Sequence, residues 1–373
     1  MGLKSVYISE GLPSVKAVSV TALKGFAGVF SGIPVLGRRK GKKIFYSLCG
    51  CCLSGMSIEM FHDEYGGVSP DVVLSSVNKI SLEMMEKVCN RLLKLSVRMA
   101  GGARMFVRTK NVSIDYHDVL YYGKSTPFTV KTLEGHKGKR RRCHRYGVAS
   151  VTGKCFYQAV SIMGARKGVS NLEIVKGLLE DVGRNPVLKN RVGVVLMDKF
   201  FAGVDVINYL ESNDHLYIMP FKHSKTLDRL YENARRTGIF HALYHMRKKD
   251  PGNSVWKTVN VYFIPVEDEE GYYAYISNIE TPPGMEWILD MIYRGRWNIE
   301  VNFKVKKVVK PTTSSKNPAY RILLETISLI LANLWKQLEI RITDRPLRQK
   351  QYDLTLHKLI QEMITTPTKN NME

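Results

Sequence analysis

The sequence predicts an α/β protein: a mixed sheet with helices on its faces, a mainly helical region before it and a β-rich segment within it. Three observations carry this. Short runs rich in β-branched and aromatic residues at 111–115, 145–152, 155–163, 192–197 and 215–219 are interleaved with amphipathic stretches at 171–181 and 204–211. That strand-strand-strand-helix-strand-helix-strand order suits a sheet covered by helices. The run Val192 to Met197 is apolar throughout, as a strand buried on both faces should be. Finally, 373 residues at 44% hydrophobic content suffice for two or three domains with real cores.

In chain order, residues 1–105 read as a mainly helical region after a Gly-rich opening. Ser69-Pro70-Asp71 starts one helix, with Val72, Val73, Val77 and Ile80 following at helical spacing. Ser81 starts a second, carrying Leu82, Met85, Val88, Leu92, Leu93 and Leu95. The pair fits either a DNA-reading helix-turn-helix or a plain helical hairpin packed on the next domain. Residues 106–221 hold the first part of the sheet, with one strand ending in Asp115, a hairpin about Gly153-Lys154, and another strand ending in Asp198. Residues 222–283 read as a β-rich insertion, with strands at Ser254–Val266 and Tyr272–Ile279 around a polar turn. Residues 284–345 return to helix, first near Glu286 and then from Ala319 to Leu338, and 346–373 form a polar tail.

Charge narrows the function classes. With 56 Lys+Arg against 34 Asp+Glu, the net charge is +22, so a polyanion is the expected partner. Lys137, Lys139, Arg140, Arg141, Arg142 and Arg145 crowd one stretch, which fits a solvated loop or a surface that tracks phosphates. The six cysteines form no paired C-x-x-C units, so reduced thiols are expected rather than a zinc ribbon or a disulfide scaffold. No run approaches 18 consecutive apolar residues, and the apolar stretch at 13–36 is broken by Lys16, Lys24, several glycines and Pro34. The expectation is a soluble, unsecreted chain with no membrane partner.

Tyr293, Arg296, Glu300 and Lys307 are spaced i, i+3, i+7 and i+14 without an intervening proline. On one helix they share a sector of roughly 60°. Such a stripe suits holding a phosphodiester against a metal-bound acid. With Asp115 and Asp198 at strand ends, Glu300 would complete three hard oxygen ligands for magnesium or manganese. Two such ions activate an attacking oxygen and stabilise a leaving one.

The spacing Tyr-x2-Arg-x3-Glu-x6-Lys resembles the signature of one branch of the DDE transposases of prokaryotic insertion sequences, and the likeness extends from about Ser113 to Trp335. The resemblance implies a ribonuclease H-like fold, Asp115, Asp198 and Glu300 as catalytic metal ligands, and a β insertion between the second acid and the Glu. It implies that Tyr293, Arg296 and Lys307 contact phosphates at the transposon end, and that an aromatic of the insertion, here Trp256, stacks on a flipped base unless it packs in the core. It further implies a cytoplasmic, nucleoid-associated enzyme, acting as a homodimer on double-stranded DNA, its terminal inverted repeats and a target. Lys199-Phe200-Phe201 departs from the Arg-Gly-Phe that many relatives carry after the second acid. Asp118 competes with Asp115 for the first place, Asp205 lies near Asp198, and His117 reads as a hydrogen-bonding neighbour. A nuclease or resolvase that cuts without joining, and an inactive DNA-binding relative, are the alternatives.

Overall fold

The computed structural model describes residues 38–102, 106, 109–133, 140–153, 156–250, 253–266 and 271–343. Lys137, Lys139, Cys155, the Gly-rich opening and the tail at 346–373 lie outside them. The strands are β1 (Lys110–Leu120), β2 (Val130–Lys131), β3 (Arg142–Gly153), β4 (Phe156–Ala165), β5 (Val192–Met197), β6 (Leu216–Pro220), β7 (His241–Asp250), β8 (Asn253–Pro265) and β9 (Tyr272–Ser277). They form one mixed sheet in the order β2-β3-β1-β5-β6-β9-β8-β7, with β4 also paired to β3. β1, β5 and β6 run parallel, and the other pairings are antiparallel.

The helices are α1 (Arg38–Ser54), α2 (Ile58–Tyr65), α3 (Pro70–Asn78), α4 (Leu82–Gly102), α5 (Asn171–Gly183), α6 (Val204–Ser212), α7 (Lys225–Thr237), α8 (Trp287–Tyr293), α9 (Trp297–Val308) and α10 (Pro318–Thr343). Their ends follow local chemistry. Ser170 and Glu173 form a reciprocal capping box at the start of α5. Ser224 caps α7, and Gly238, in the left-handed region at φ +71, ends it.

Strand alternation sorts the sheet into two faces. Ile114, Val195 and Met197 point into a core shared with α5, α6 and α7. Leu196 and Ile218 point the other way, into a core with Leu289 of α8. On that second face α9 crosses β1, β3 and β4, and α10 lies beside α9 against β4. Asn333 of α10 acts as a substitute strand for β4: its Oδ1 accepts from the Ala159 amide at 2.8 Å and its Nδ2 donates to the Ala159 carbonyl at 2.8 Å. A strand edge that would otherwise expose backbone groups is satisfied inside the core.

The N-terminal helices join that same core. Val73, Val77, Leu92 and Leu93 are buried with Ile322, Ile327 and Ile330 of α10. Of the two readings of α3 and α4, helical packing on the next domain is what the structure displays. Cys49, Cys51, Cys52, Cys89 and Cys143 are free and buried, and burial pushes the Cys51 and Cys89 thiols up to about 12. They are inert packing groups. Among the described residues no single helix is long and apolar enough to cross a membrane.

Three local expectations are corrected. The first strand does not stop at Asp115 but continues to Leu120, because β3 pairs with it along that whole length. Residues 222–283 contain the amphipathic helix α7 and the strand β7, and their sheet is no separate layer, since β9 pairs with β6 and extends the central sheet. The stripe from Tyr293 to Lys307 is not on one continuous α-helix: a 3-10 turn at Arg294–Arg296 separates α8 from α9.

Candidate active site

Register brings the first two acids together. Ile114 of β1 pairs with Met197 of the parallel neighbour β5, so the next residues, Asp115 and Asp198, stand at one level of adjacent strands. Both follow residues that face the α5 side, so alternation turns both carboxylates toward the α8–α9 face. Asp198 ends its strand and accepts from the Lys199 amide at 2.5 Å, starting the 3-10 turn of Lys199–Phe201. Asp115 accepts from the Tyr116 amide at 2.7 Å.

Glu300 comes from α9, held at its start by Asn298, whose side chain donates to the Gly153 carbonyl at 2.8 Å. Arg296 ties the third acid to the first. Its Nη1 lies 2.7 Å from Asp115 Oδ2 and its Nη2 lies 2.5 Å from Glu300 Oε1. The guanidinium rests over the Tyr293 ring at 5.5 Å, and Tyr293 packs on Tyr275 with ring centroids 5.1 Å apart. Burial pushes the Asp115 carboxyl up to about 6 against the pull of Arg296, and the charges of Asp198 and Glu300 add to the rise.

The competing acids are accounted for. Asp118 points to the opposite face of β1, where Arg145 grips it at 2.7 and 2.9 Å. Arg145 is thus a structural partner and leaves the basic run, whereas Arg140, Arg141 and Arg142 are exposed at the start of β3. Asp205 is paired with Lys248 at 2.7 Å. His117, two residues beyond Asp115 on the same face, lies 3.3 Å from Glu325.

Lys307 is exposed near the end of α9. Trp256 is 60% exposed on β8, with Arg247 over its ring at 5.4 Å, so it does not pack in the core. It is also not brought to the acids. Pairing puts Tyr262 level with Tyr275, Pro220 and hence Asp198, and Trp256 sits six residues back along β8, about 20 Å toward the other end of the sheet.

The sequence reading missed a second ionic cluster one step away. Lys306 of α9 contacts Glu325 of α10, and the two are 0% and 3% exposed. Burial pushes the Lys306 ammonium down, and Lys310 and Lys307 push it further. Burial, with the same cations, lowers His117 as well. The available signal was Glu325 itself, the one carboxylate between Ala319 and Leu334 in a mostly apolar helix.

As a donor set, three carboxylates with one strand-end Asp suit a hard divalent cation. As placed, two of them, Asp115 and Glu300, bind one guanidinium instead. No group of three or more His, Cys, Asp or Glu side chains among the described residues is spaced to hold a metal ion.

No protein-family model and no curated protein matches the sequence. Among solved structures the chain is similar to the piggyBac transposase in the "Cryo-EM structure of piggyBac transposase synaptic complex with hairpin DNA", with a TM-score of 0.50 and 10% sequence identity, over 95% of this chain and 71% of that one. The neighbour lies outside the insertion-sequence branch that the Tyr-Arg-Glu-Lys spacing resembles, and at that identity the likeness is one of fold. The mixed sheet with its flanking helices is a ribonuclease H-like fold of the kind found in a transposase.

Proposed function

We propose that this chain is a DNA transposase of the Tyr-Arg-Glu-Lys insertion-sequence branch, which cuts the ends of its element and joins them to target DNA. The observation that carries the reading is the level shared by Asp115 and Asp198 on parallel neighbours, with Glu300 joined to the first of them through Arg296. Asp115, Asp198 and Glu300 would hold two magnesium or manganese ions, which supply activation of a water or 3′-hydroxyl and charge neutralisation at the leaving oxygen. Tyr293 and Lys307 lie along the same helical segment and would position the phosphate to be cut, while Arg140, Arg141 and Arg142 offer exposed charge to the backbone of the duplex. Trp256, with Arg247 stacked on it, would meet DNA away from the acids. The excess of +22 fits a chain that works on DNA; by the resemblance it would do so in a bacterial cytoplasm, as a homodimer that pairs two ends.

The test is cleavage of duplex DNA carrying the element's terminal repeats, with magnesium, followed by joining of a pre-cleaved end to a target. Asp198→Asn and Glu300→Gln are expected to abolish cutting with DNA binding largely retained. Normal cutting by both variants would refute the acid assignment. Cutting without joining would make the chain a nuclease on the same sheet.

A further inference from the structure

Resting on the reading of this chain as an enzyme of duplex DNA, we propose that the outer face of the β7–β8 ribbon lies in the major groove and reads base edges there. β7 closes the sheet, with β8 as its neighbour in the strand order. The two pair without a break from His241 and Tyr262 to Asp250 and Asn253. Alternation gives the ribbon two unlike faces. Met246, Val259 and Val261 turn into the core with α6 and α7, and Lys257 on that side pairs with Glu211 of α6. The other face is open to solvent, and Leu243 and Trp256 on it are each 60% exposed.

Cross-strand pairs hold the polar groups of that open face in place. His241 Nε2 lies 3.0 Å from Asn260 Oδ1, and His245 Nδ1 lies 2.9 Å from Thr258 Oγ1. Arg247 donates from Nε and Nη2 to Ser254 at 2.9 and 2.7 Å and rests over the Trp256 ring at 5.4 Å. Each pair commits only part of its hydrogen-bonding capacity: Asn260 Nδ2 and Arg247 Nη1 take no partner among the described residues. An amide and a guanidinium are the groups that bind adenine and guanine edges bidentately, and an apolar side chain such as Leu243 suits the thymine methyl. No carboxylate occurs in 241–247 or 254–260, so the face carries positive charge and nothing on it repels the phosphates that flank a groove. His241 to Arg247 covers about 20 Å, the rise of roughly six base pairs, and two strands about 5 Å apart fit a groove about 12 Å wide.

Register ties the ribbon to the candidate site. Pro220, Tyr275, Tyr262 and His241 continue across four strands the level at which Asp198 ends β5. The His241 ring stacks on Tyr262 at 4.8 Å, and Tyr262 belongs to the face toward which Asp115 and Asp198 turn. Four strand spacings separate His241 from Asp198 by about 19 Å. That is less than one turn of duplex, about 34 Å. One DNA segment can therefore lie along the ribbon and present a phosphate to the acids, with the base pairs that are read within a turn of the bond to be cut.

The experiment is selection by the full-length chain from a pool of random-sequence duplexes about 30 base pairs long, near three helical turns, with the retained DNA sequenced. Wild type is expected to enrich a motif. Asn260→Ala should flatten the preference at one base pair of it by about tenfold while the rest of the motif persists. Arg247→Lys, which keeps the charge and loses the two-pronged donor, should do the same at a second base pair and serves if the Asn260 variant does not fold. Retention of the whole wild-type motif by both variants overturns the reading and leaves the face to a protein partner. Weakening of every sequence alike, with a smaller salt slope, overturns it in favour of phosphate contact alone. A wild-type chain that retains duplexes but enriches no sequence also overturns the ribbon as a reader. If wild type retains no duplex from the pool, it is the proposed function that fails.

Discussion

Two ionic clusters share the same strand and the same helix, and they differ in almost every physical respect. Asp115 and His117 are two residues apart on one face of β1, and Glu300 and Lys306 are less than two turns apart on α9. The first cluster has more acids than cations and sits on one face of the two central strands β1 and β5, with Glu300 29% exposed. The second has its acid, Glu325, sealed against Lys306 and His117 under α10. An open cluster with spare negative charge can exchange partners with solvent and ligand. A sealed one can only stabilise or destabilise the fold, because neither member has anything else to bind.

The comparison is sharpened by breaking each cluster. The largest effect is expected at the open one: Asp198→Asn should lower cleavage by a thousandfold or more, about 4 kcal/mol of transition-state stabilisation, with little change in melting temperature. Cleavage assays beside calorimetry check both halves. At the sealed cluster the pattern should reverse. Glu325→Ala leaves a buried amine unpaired and should cost about 3–5 kcal/mol of stability, whereas Lys306→Met with Glu325→Leu should recover most of the loss. Denaturant unfolding of the single and double variants decides this, and a double variant as unstable as the single would show that the pair has another role.

A smaller effect separates charge from structure on α9. Lys307→Ala, at an exposed position, should leave stability within about 0.5 kcal/mol but reduce the salt slope of DNA binding by about one contact. An unchanged slope from binding titrations at several salt concentrations would remove Lys307 from the DNA surface. The smallest effect is a pH dependence. Burial, then the charge of Arg321, holds His144 down at about 4 from an ordinary 6.5. Its folded pKa is depressed, so the unfolded chain binds the proton first, and stability is lost as pH falls from about 6.5 toward 4. His144→Phe should flatten the melting curve over that window, and a wild-type slope retained by the variant would rule the residue out.

Much of this was legible along the chain, and for identifiable reasons. The continuous apolar run at 192–197 and the capping pair Ser170 and Glu173 report local preferences, which depend on neighbours in sequence. The helix at 225–237 had its signals too, Ser224 before and Gly238 after, but they lay within a stretch whose later strands dominated the reading. For the candidate site, the identities of Asp115, Asp198 and Glu300 could be nominated from strand ends and spacing. That Asp118 is excluded required knowing that β1 runs on past Asp115, since only then does alternation carry it to the far face and to Arg145.

The residue types fixed in advance which groups were able to repel, ligate or carry a phosphate, because charge and hydrogen-bonding capacity belong to the side chain wherever it lies. Which of them meet depended on strand register and on how α9 crosses the sheet. Parallel pairing set Asp115 beside Asp198, and the crossing of α9 over β1 made Arg296, already one turn from Glu300, the bridge between two acids. The path of β8 carried Trp256 away from them. Spacing along a chain constrains distance within one element, whereas distance between elements is set by packing, and the candidate site of this protein lies between elements.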